Sequence, residues 1–539
     1  MAAIIIAGLP SSRKTPGVFL NSILGGPGAG SGTAQQRLML VGNMIESAPS
    51  LTAPAATLAA GTATLAVPVQ IFNESDAILY FGKGSELHLM VQAALKQDPN
   101  TVLWATPLGK GATPTAASMT VTFSGTAPTT DLAIEVLCDG QRLEFAIPSG
   151  TTTTGCATLL AQNVLNASDL PITAQFAAGV CTFTAKCPGT RGNRIQVRIN
   201  VTVGSNTTKL RTWTSLTGTF SGTSITQASR FLTGGLVTES TTLTTVLTAL
   251  ANERWHRIAY AVEDATNAAA ATAASTSKAA ATSMLWEQCV FANVDDFTAA
   301  TVGAQAVALA LNNARAQLVW QRKADRLPGV LAASMACARL QGDSVIGGTA
   351  VGEVEDPACP LDGLQLAAVP VQEYILDKPL ATEIETALNY GVTPLQPSFA
   401  RPGYAEAVRS VTTRYLDQTG SQNYAVLDTT ECTVTDHVAD RIRREVQVKF
   451  ARTKLADDDA RGRPVKTQGI VTPNILRSFI ASILTDEEDL GHIINVAAHM
   501  DKLQVLRNTA ARGRADAEIP VEPAPAFHIF GGNVRQQVL

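Results

Sequence analysis

Charge is scarce in this chain. Asp, Glu, Lys and Arg make up 16% of its 539 residues, against the roughly 25% usual for soluble globular domains. The 41 basic and 45 acidic residues leave a formal net charge of −4, so there is no overall basic field of the kind nucleic acid demands. Aromatic residues are also few, at 5%. So little charge over so long a chain points to a surface covered by something, and repeated protein–protein contact is the simplest cover. A Thr/Ala-rich secreted β protein is the other reading of this composition.

The usual chemical signatures are missing too. Eight cysteines stand at 138, 156, 181, 187, 289, 337, 359 and 432, without a C-x-x-C pair. They read as free buried thiols in a reducing compartment, with Cys181 and Cys187 at the same strand parity, rather than as a disulfide framework. Six histidines lack any H-E-x-x-H or Cys/His cluster, although His492 and His499, seven apart, could share a helix face. The GGPGAGSG run at 25–32 lacks the lysine of a phosphate loop. There is no G-x-S-x-G elbow. Asp295 and Asp296, at a strand end, would suit a metal or cap the next helix, and capping is favoured because no third ligand stands at useful spacing. No catalytic residue, metal or cofactor is expected, and the chain reads as a non-enzyme.

Long apolar runs are absent as well. The opening MAAIIIAGLPSSRK has no basic n-region and only a short apolar stretch, so it is a poor signal peptide. The Ala-rich stretch at 265–281 carries Ser, Thr and Lys278, too polar to span a membrane. A soluble chain made in a cytoplasm is expected.

What is present is alternation. The length calls for two to four domains. Residues 37–44 and 101–108 read as buried strands flanking an amphipathic helix (Leu87, Met90, Val91, Ala94 and Leu95 inward), and Ser75 can cap a short helix before it. Strands at 257–262, 289–294 and 316–321 alternate with helices at 299–311 and 331–340 and continue this pattern. Between them, at 112–235, a Thr/Ser/Gly-rich stretch predicts a β-rich insertion with six strands and one helix near 156–167. A turn-rich linker follows at 342–360.

The most informative stretch is 387–480. Residues 409–415 alternate and read as a half-buried strand. Val438, Ile442, Val446 and Phe450 form one stripe on a helix. Thr472 with Pro473 marks the start of a second helix, whose buried face is Ile475, Leu476, Phe479, Ile480, Ile483 and Leu484. The order of Tyr-Gly-Val-Thr-Pro-Leu, Val-Arg-Ser-Val-Thr-Thr, Tyr-x-x-Leu-Asp, Lys-Leu-Ala-Asp-Asp and Val-Thr-Pro resembles the contractile bacteriophage tail sheath family, in its Mu-like branch. The Arg-x-x-Pro-Gly-Val-Phe pattern at 13–19, Phe-Gly-x-Gly-Ser at 81–85 and the glycine turn at 189–195 are similar to that family too.

The resemblance implies a multi-domain α/β + β tail-sheath fold. It would comprise an N-terminal arm (1–30), an α/β domain in two parts (31–111 and 236–365) interrupted by the outer β-rich insertion (112–235), a C-terminal α+β attachment domain (366–519) and a C-terminal arm (520–539). It also implies a virion structural subunit that is assembled in the host cytoplasm. Such subunits stack as hexameric rings around a tail tube and contract, without an ATPase, to drive the tube through the host envelope. The implied partners are further copies, the tube protein, baseplate and tail terminator proteins, with no direct nucleic acid and no membrane. Strand addition between subunits would use Val18, Phe19 and Leu20 at one end and Val534, Arg535, Gln536, Gln537 and Val538 at the other. Arg441, Arg443 and Arg444, with Asp457, Asp458 and Asp459, are the candidate charged interface. A related contractile injection system fits as well, and a Rossmann-like enzyme with a β accessory domain is the different-class alternative.

Overall fold

The computed structural model describes residues 36–47, 50–52, 54–167, 169–204, 206–208, 215–237, 240–343, 356–372, 374–458, 469–532 and 535. The proposed N-terminal arm with Val18, Phe19 and Leu20 lies outside them, as do most of the linker and Asp459, Val534, Gln536, Gln537 and Val538.

A nine-stranded sheet forms the centre. Its parallel part runs Val102–Leu108, Arg37–Asn43, Arg257–Tyr260, Gln288–Asn293, Ala316–Trp320 and Thr393–Pro397 in spatial order. Strand side chains alternate between two covered faces. Leu38 and Leu40 meet the helices Glu86–Gln97 and Pro328–Asp343, while Met39 and Val41 meet Ser240–Ala249, Ala265–Lys278 and Ala304–Leu311. Burial on both sides explains why these strands read as continuous apolar runs. Val69–Ile71 closes one edge antiparallel, and Tyr404–Ala407 and then Leu364–Pro370 close the other. Three strands that the sequence reading gave to the C-terminal domain thus complete the α/β sheet.

The insertion leaves after Val102–Leu108 and forms two antiparallel sheets. One has five strands: Leu216–Phe220, Thr223–Gln227, Ser118–Gly125, Val180–Ala185 and Ile172–Ala177. The other has four: Asn206–Thr208, Val197–Val203, Leu132–Cys138 and Gln141–Ile147. The helix Thr153–Asn166 shares their core through Cys156, Leu160 and Val164. The 216–227 hairpin escaped the sequence reading. It turns at Ser221 and Gly222, both at positive φ, a geometry that suits a two-residue hairpin loop.

Ion pairs join the insertion to the sheet domain. Four arginines of the insertion reach carboxylates of the sheet domain: Arg191 to Glu86, Arg194 to Glu263 and Asp295, Arg198 to Asp325, and Arg230 to Asp377. Arg326 returns the contact to Asp139 at 2.7 Å. Asp295 is therefore an ion-pair partner and caps nothing; the next helix, Ala304–Leu311, has Gly303 at its N-cap and no side-chain cap. Burial, opposed by Arg194, raises the Asp295 carboxyl to about 6.

Three further expectations change. Asn73, not Ser75, caps the Glu74–Phe81 helix, its side chain accepting from the Asp76 N–H. Residues 409–415 are extended but form no strand. Their alternation hides burial on both sides, because Thr412 and Thr413 satisfy their polar groups against Leu427, Val426, Ala316 and Asn313. His492 and His499 share no helix face: the helix ends at Asp489, and His499 lies on a separate four-residue helix, bonded to Glu522. All eight cysteines are free; six are buried, and Cys187 and Cys359 are partly exposed.

Candidate assembly surface

The helix Thr429–Lys449 organises the C-terminal module. Val434, Val438 and Ile442 form its buried stripe, continued by Val446, and they meet Ile480, Ile483 and Leu484 of the helix Pro473–Asp489. That second helix is capped as the sequence predicts, with the Thr472 side chain accepting from the Ile475 N–H and Pro473 in the first turn. Leu476 and Phe479 are partly buried, and Ile475 is the exposed member of the predicted face.

The long helix is bolted to the central sheet by its first half. Arg315 holds Asp436 through two bonds of 2.7 and 2.8 Å. Arg254 pairs with Asp440 at 2.7 Å, and Arg257 and Gln288 donate to Thr433 Oγ1. Gln288 in turn accepts from the fully buried Arg339.

The candidate charged residues separate into different roles. Arg441 is an internal organiser: it reaches Glu445 at 2.7 Å, Asp486 at 3.1 Å and the fully buried Glu487 at 2.5 Å. Burial opposes its charge, but these carboxylates outweigh that and raise its pKa. Arg443 lies 3.7 Å from Asp440, and Arg444 is exposed. Asp457 pairs with Arg507 of its own chain at 2.7 Å. Asp458 accepts from the Asn474 N–H in the first turn of the second helix, where a carboxylate is favoured by the helix dipole. Both described aspartates of the loop thus have partners within the chain.

The module also holds three two-stranded ladders: Lys454–Leu455 with Ile470–Val471, Ile493–Ile494 with Glu522–Pro523, and Gln504–Arg507 with Ala515–Glu518. None grows into a larger sheet among the described residues, so their outer main-chain groups are open to pairing. From Glu522–Pro523 the chain runs on without strand pairing through 524–532. His528 points inward to Asp362 and Asp428, whereas Phe527, Ile529 and Phe530 stand 80–84% exposed. Arg535 is exposed.

The phage tail sheath C-terminal domain family matches residues 421–537, which is this module and the segment leaving it. The Mu-like prophage FluMu tail sheath protein of Haemophilus influenzae is 23% identical over 483 residues, covering 90% of this chain and 89% of that protein. The chain is thus similar to phage tail sheath proteins, over its C-terminal module and over most of its length. Two solved structures, sheath tail proteins from Desulfitobacterium hafniense and Listeria innocua, are each 13% identical with a TM-score of 0.44. They cover 91% and 92% of this chain and 94% of their own. No helix among the described residues is long and apolar enough to cross a membrane.

The organising arginines went unread in the sequence. Nothing in the spacing of Arg254, Arg315 and Arg441 announces partners 186, 121 and 46 residues away. The one legible signal was Asp436, Asp440 and Arg441 on a helix whose apolar stripe was already known.

Proposed function

We propose that the chain is the subunit of a contractile tail sheath that polymerises as stacked hexameric rings around a tail tube. The observation that carries this reading is the segment 524–532, which leaves the module with Phe527, Ile529 and Phe530 in solvent. Three large apolar side chains clustered on an extended segment are costly to leave in water and are readily covered by another molecule. Open ladder edges in the same module offer main-chain partners, each hydrogen bond worth about 0.5–1.5 kcal/mol net. A segment that leaves one copy and pairs in the next makes a heterologous, non-closing contact, which builds a helical array. Residues 18–20 and 534–538 take part in the same exchange. The tube, baseplate and terminator proteins are the further partners, and contraction of the assembled array drives the tube forward. The virion tail is its place, with assembly in the host cytoplasm.

The test is negative-stain microscopy and sedimentation of the full chain beside a chain ending at Pro525. The full chain forms tubes or ring stacks. The shortened one stays monomeric with unchanged near-ultraviolet circular dichroism. Tubes of normal diameter from the shortened chain would overturn the role given to this segment.

A further inference from the structure

A buried cluster in the C-terminal module has a purpose that ion pairing does not exhaust. His437 on the long helix, Glu487 near the end of the second helix and His492 just before strand Ile493–Ile494 each bring one ligand atom within 4.8 Å of the others. Glu487 is fully buried and divides its two oxygens. Oε1 accepts from Arg441 at 2.5 Å; Oε2 lies 2.6 Å from His492 Nδ1 and 3.9 Å from His437 Nε2. Hydrogen bonding accounts for Arg441, Glu487 and His492. It leaves His437 Nε2 buried, aimed at the cluster and without a partner. Such an orphaned nitrogen is expensive in a packed interior.

We propose that His437, Glu487 and His492 form a Zn²⁺ site, with water in the fourth position. Two imidazoles and one carboxylate suit this ion. Zinc bonds of 2.0–2.2 Å in a tetrahedron place ligand atoms about 3.3 Å apart. The observed 2.6 and 3.9 Å separations from Glu487 bracket that value, and all three ligand atoms lie within 4.8 Å of one another. The buried and unpartnered His437 Nε2 offers the lone pair that a metal needs. His492 would bind through Nδ1, and its Nε2 faces Asp356 Oδ1 at 3.9 Å. A carboxylate behind a ligating imidazole is the usual orienting partner. Arg441 keeps Oε1 and leaves Oε2 to the ion.

The position gives the ion a structural task. It joins the long helix, the end of the second helix and the root of the C-terminal segment. The His492 carbonyl accepts from the Ala524 N–H, and Ile493–Ile494 pairs with Glu522–Pro523. The site does not depend on the sheath reading, since it lies within one chain.

The test uses full-length protein stripped with EDTA, then titrated with Zn²⁺ in competition with a chromogenic chelator and separately with Co²⁺. Wild type takes up one Zn²⁺ per chain with micromolar or tighter affinity and gains a few degrees in Tm. Its Co²⁺ form shows tetrahedral visible bands without the intense charge-transfer absorption of thiolate ligands. Zinc also slows amide exchange at 492–494 and 522–524. His437→Asn, which removes a nitrogen with no hydrogen bond to lose, folds as wild type in EDTA and weakens uptake by about tenfold or more; His492→Gln does the same. No uptake by wild type, equal uptake by His437→Asn, or a thiolate-dominated cobalt spectrum each overturns the assignment.

Discussion

Removing the Asp436 carboxylate should loosen the whole C-terminal module. Arg315 and Asp436 are both almost wholly buried, joined by two short bonds, and Arg315 keeps only the Glu287 carbonyl at 3.3 Å once the carboxylate is gone. Breaking one partner of such a pair leaves an uncompensated buried cation and costs about 3–5 kcal/mol. At 1.4 kcal/mol per decade that is roughly a 10²- to 10³-fold shift toward the open seam. The chain has several lobes, so a local observable serves better than a global Tm. The assay is hydrogen exchange of the 429–440 amides in wild type and Asp436→Ala. The variant should exchange there about 10²-fold faster or more, while the 288–293 strand keeps its protection. The double variant Arg315→Met, Asp436→Leu should recover most of the loss, because apolar replacement of a buried pair is often neutral or better. A shift under about tenfold in Asp436→Ala would refute the idea that this pair fastens the module.

Replacing Phe527, Ile529 and Phe530 together with Ser should abolish polymer in sedimentation and leave monomer stability within about 0.5 kcal/mol. Burial, then repulsion from Asp428, raises Glu431 to about 7, and its Oε2 is buried without a partner. The unfolded chain ionises near 4.5, so stability falls as pH rises between about 4.5 and 7; Glu431→Gln should gain on the order of 1–3 kcal/mol above that window and nothing below it, by urea melts. His256 accepts the Arg37 N–H at Nδ1, and burial, then Arg254, Arg257 and Arg37, hold its pKa well below 6.5. Unfolded His takes up its proton from about pH 6.5 downward, so this group costs stability as acid is added, and His256→Gln should flatten the wild-type loss of Tm below that pH. Arg441→Glu should unfold the C-terminal module, seen as lost protection at 473–489, whereas Arg443→Glu with Arg444→Glu should leave that protection unchanged.

The central sheet was readable because doubly covered parallel strands announce themselves as apolar runs, and helices such as Glu86–Gln97 and Pro473–Asp489 carry their caps in the sequence. Periodicity failed where tertiary bonds replaced a ladder. Residues 409–415 alternate as a strand would, yet their threonines bond to loops on both sides. Charge partners were illegible for a different reason: an arginine's pairing depends on topology, so Arg441 looked like a surface patch until Asp486 and Glu487 came alongside it. The same holds for His437, 50 residues before Glu487. In the acidic loop the Arg507 partner of Asp457 was equally illegible, because it stands 50 residues away.

The arginine–carboxylate joints between the lobes have a practical meaning. Ions in solution screen exposed charges over about 8–10 Å but barely reach buried pairs. Concentrated salt will therefore strip weak electrostatic contacts from the outside of each molecule while its lobes stay locked in one arrangement.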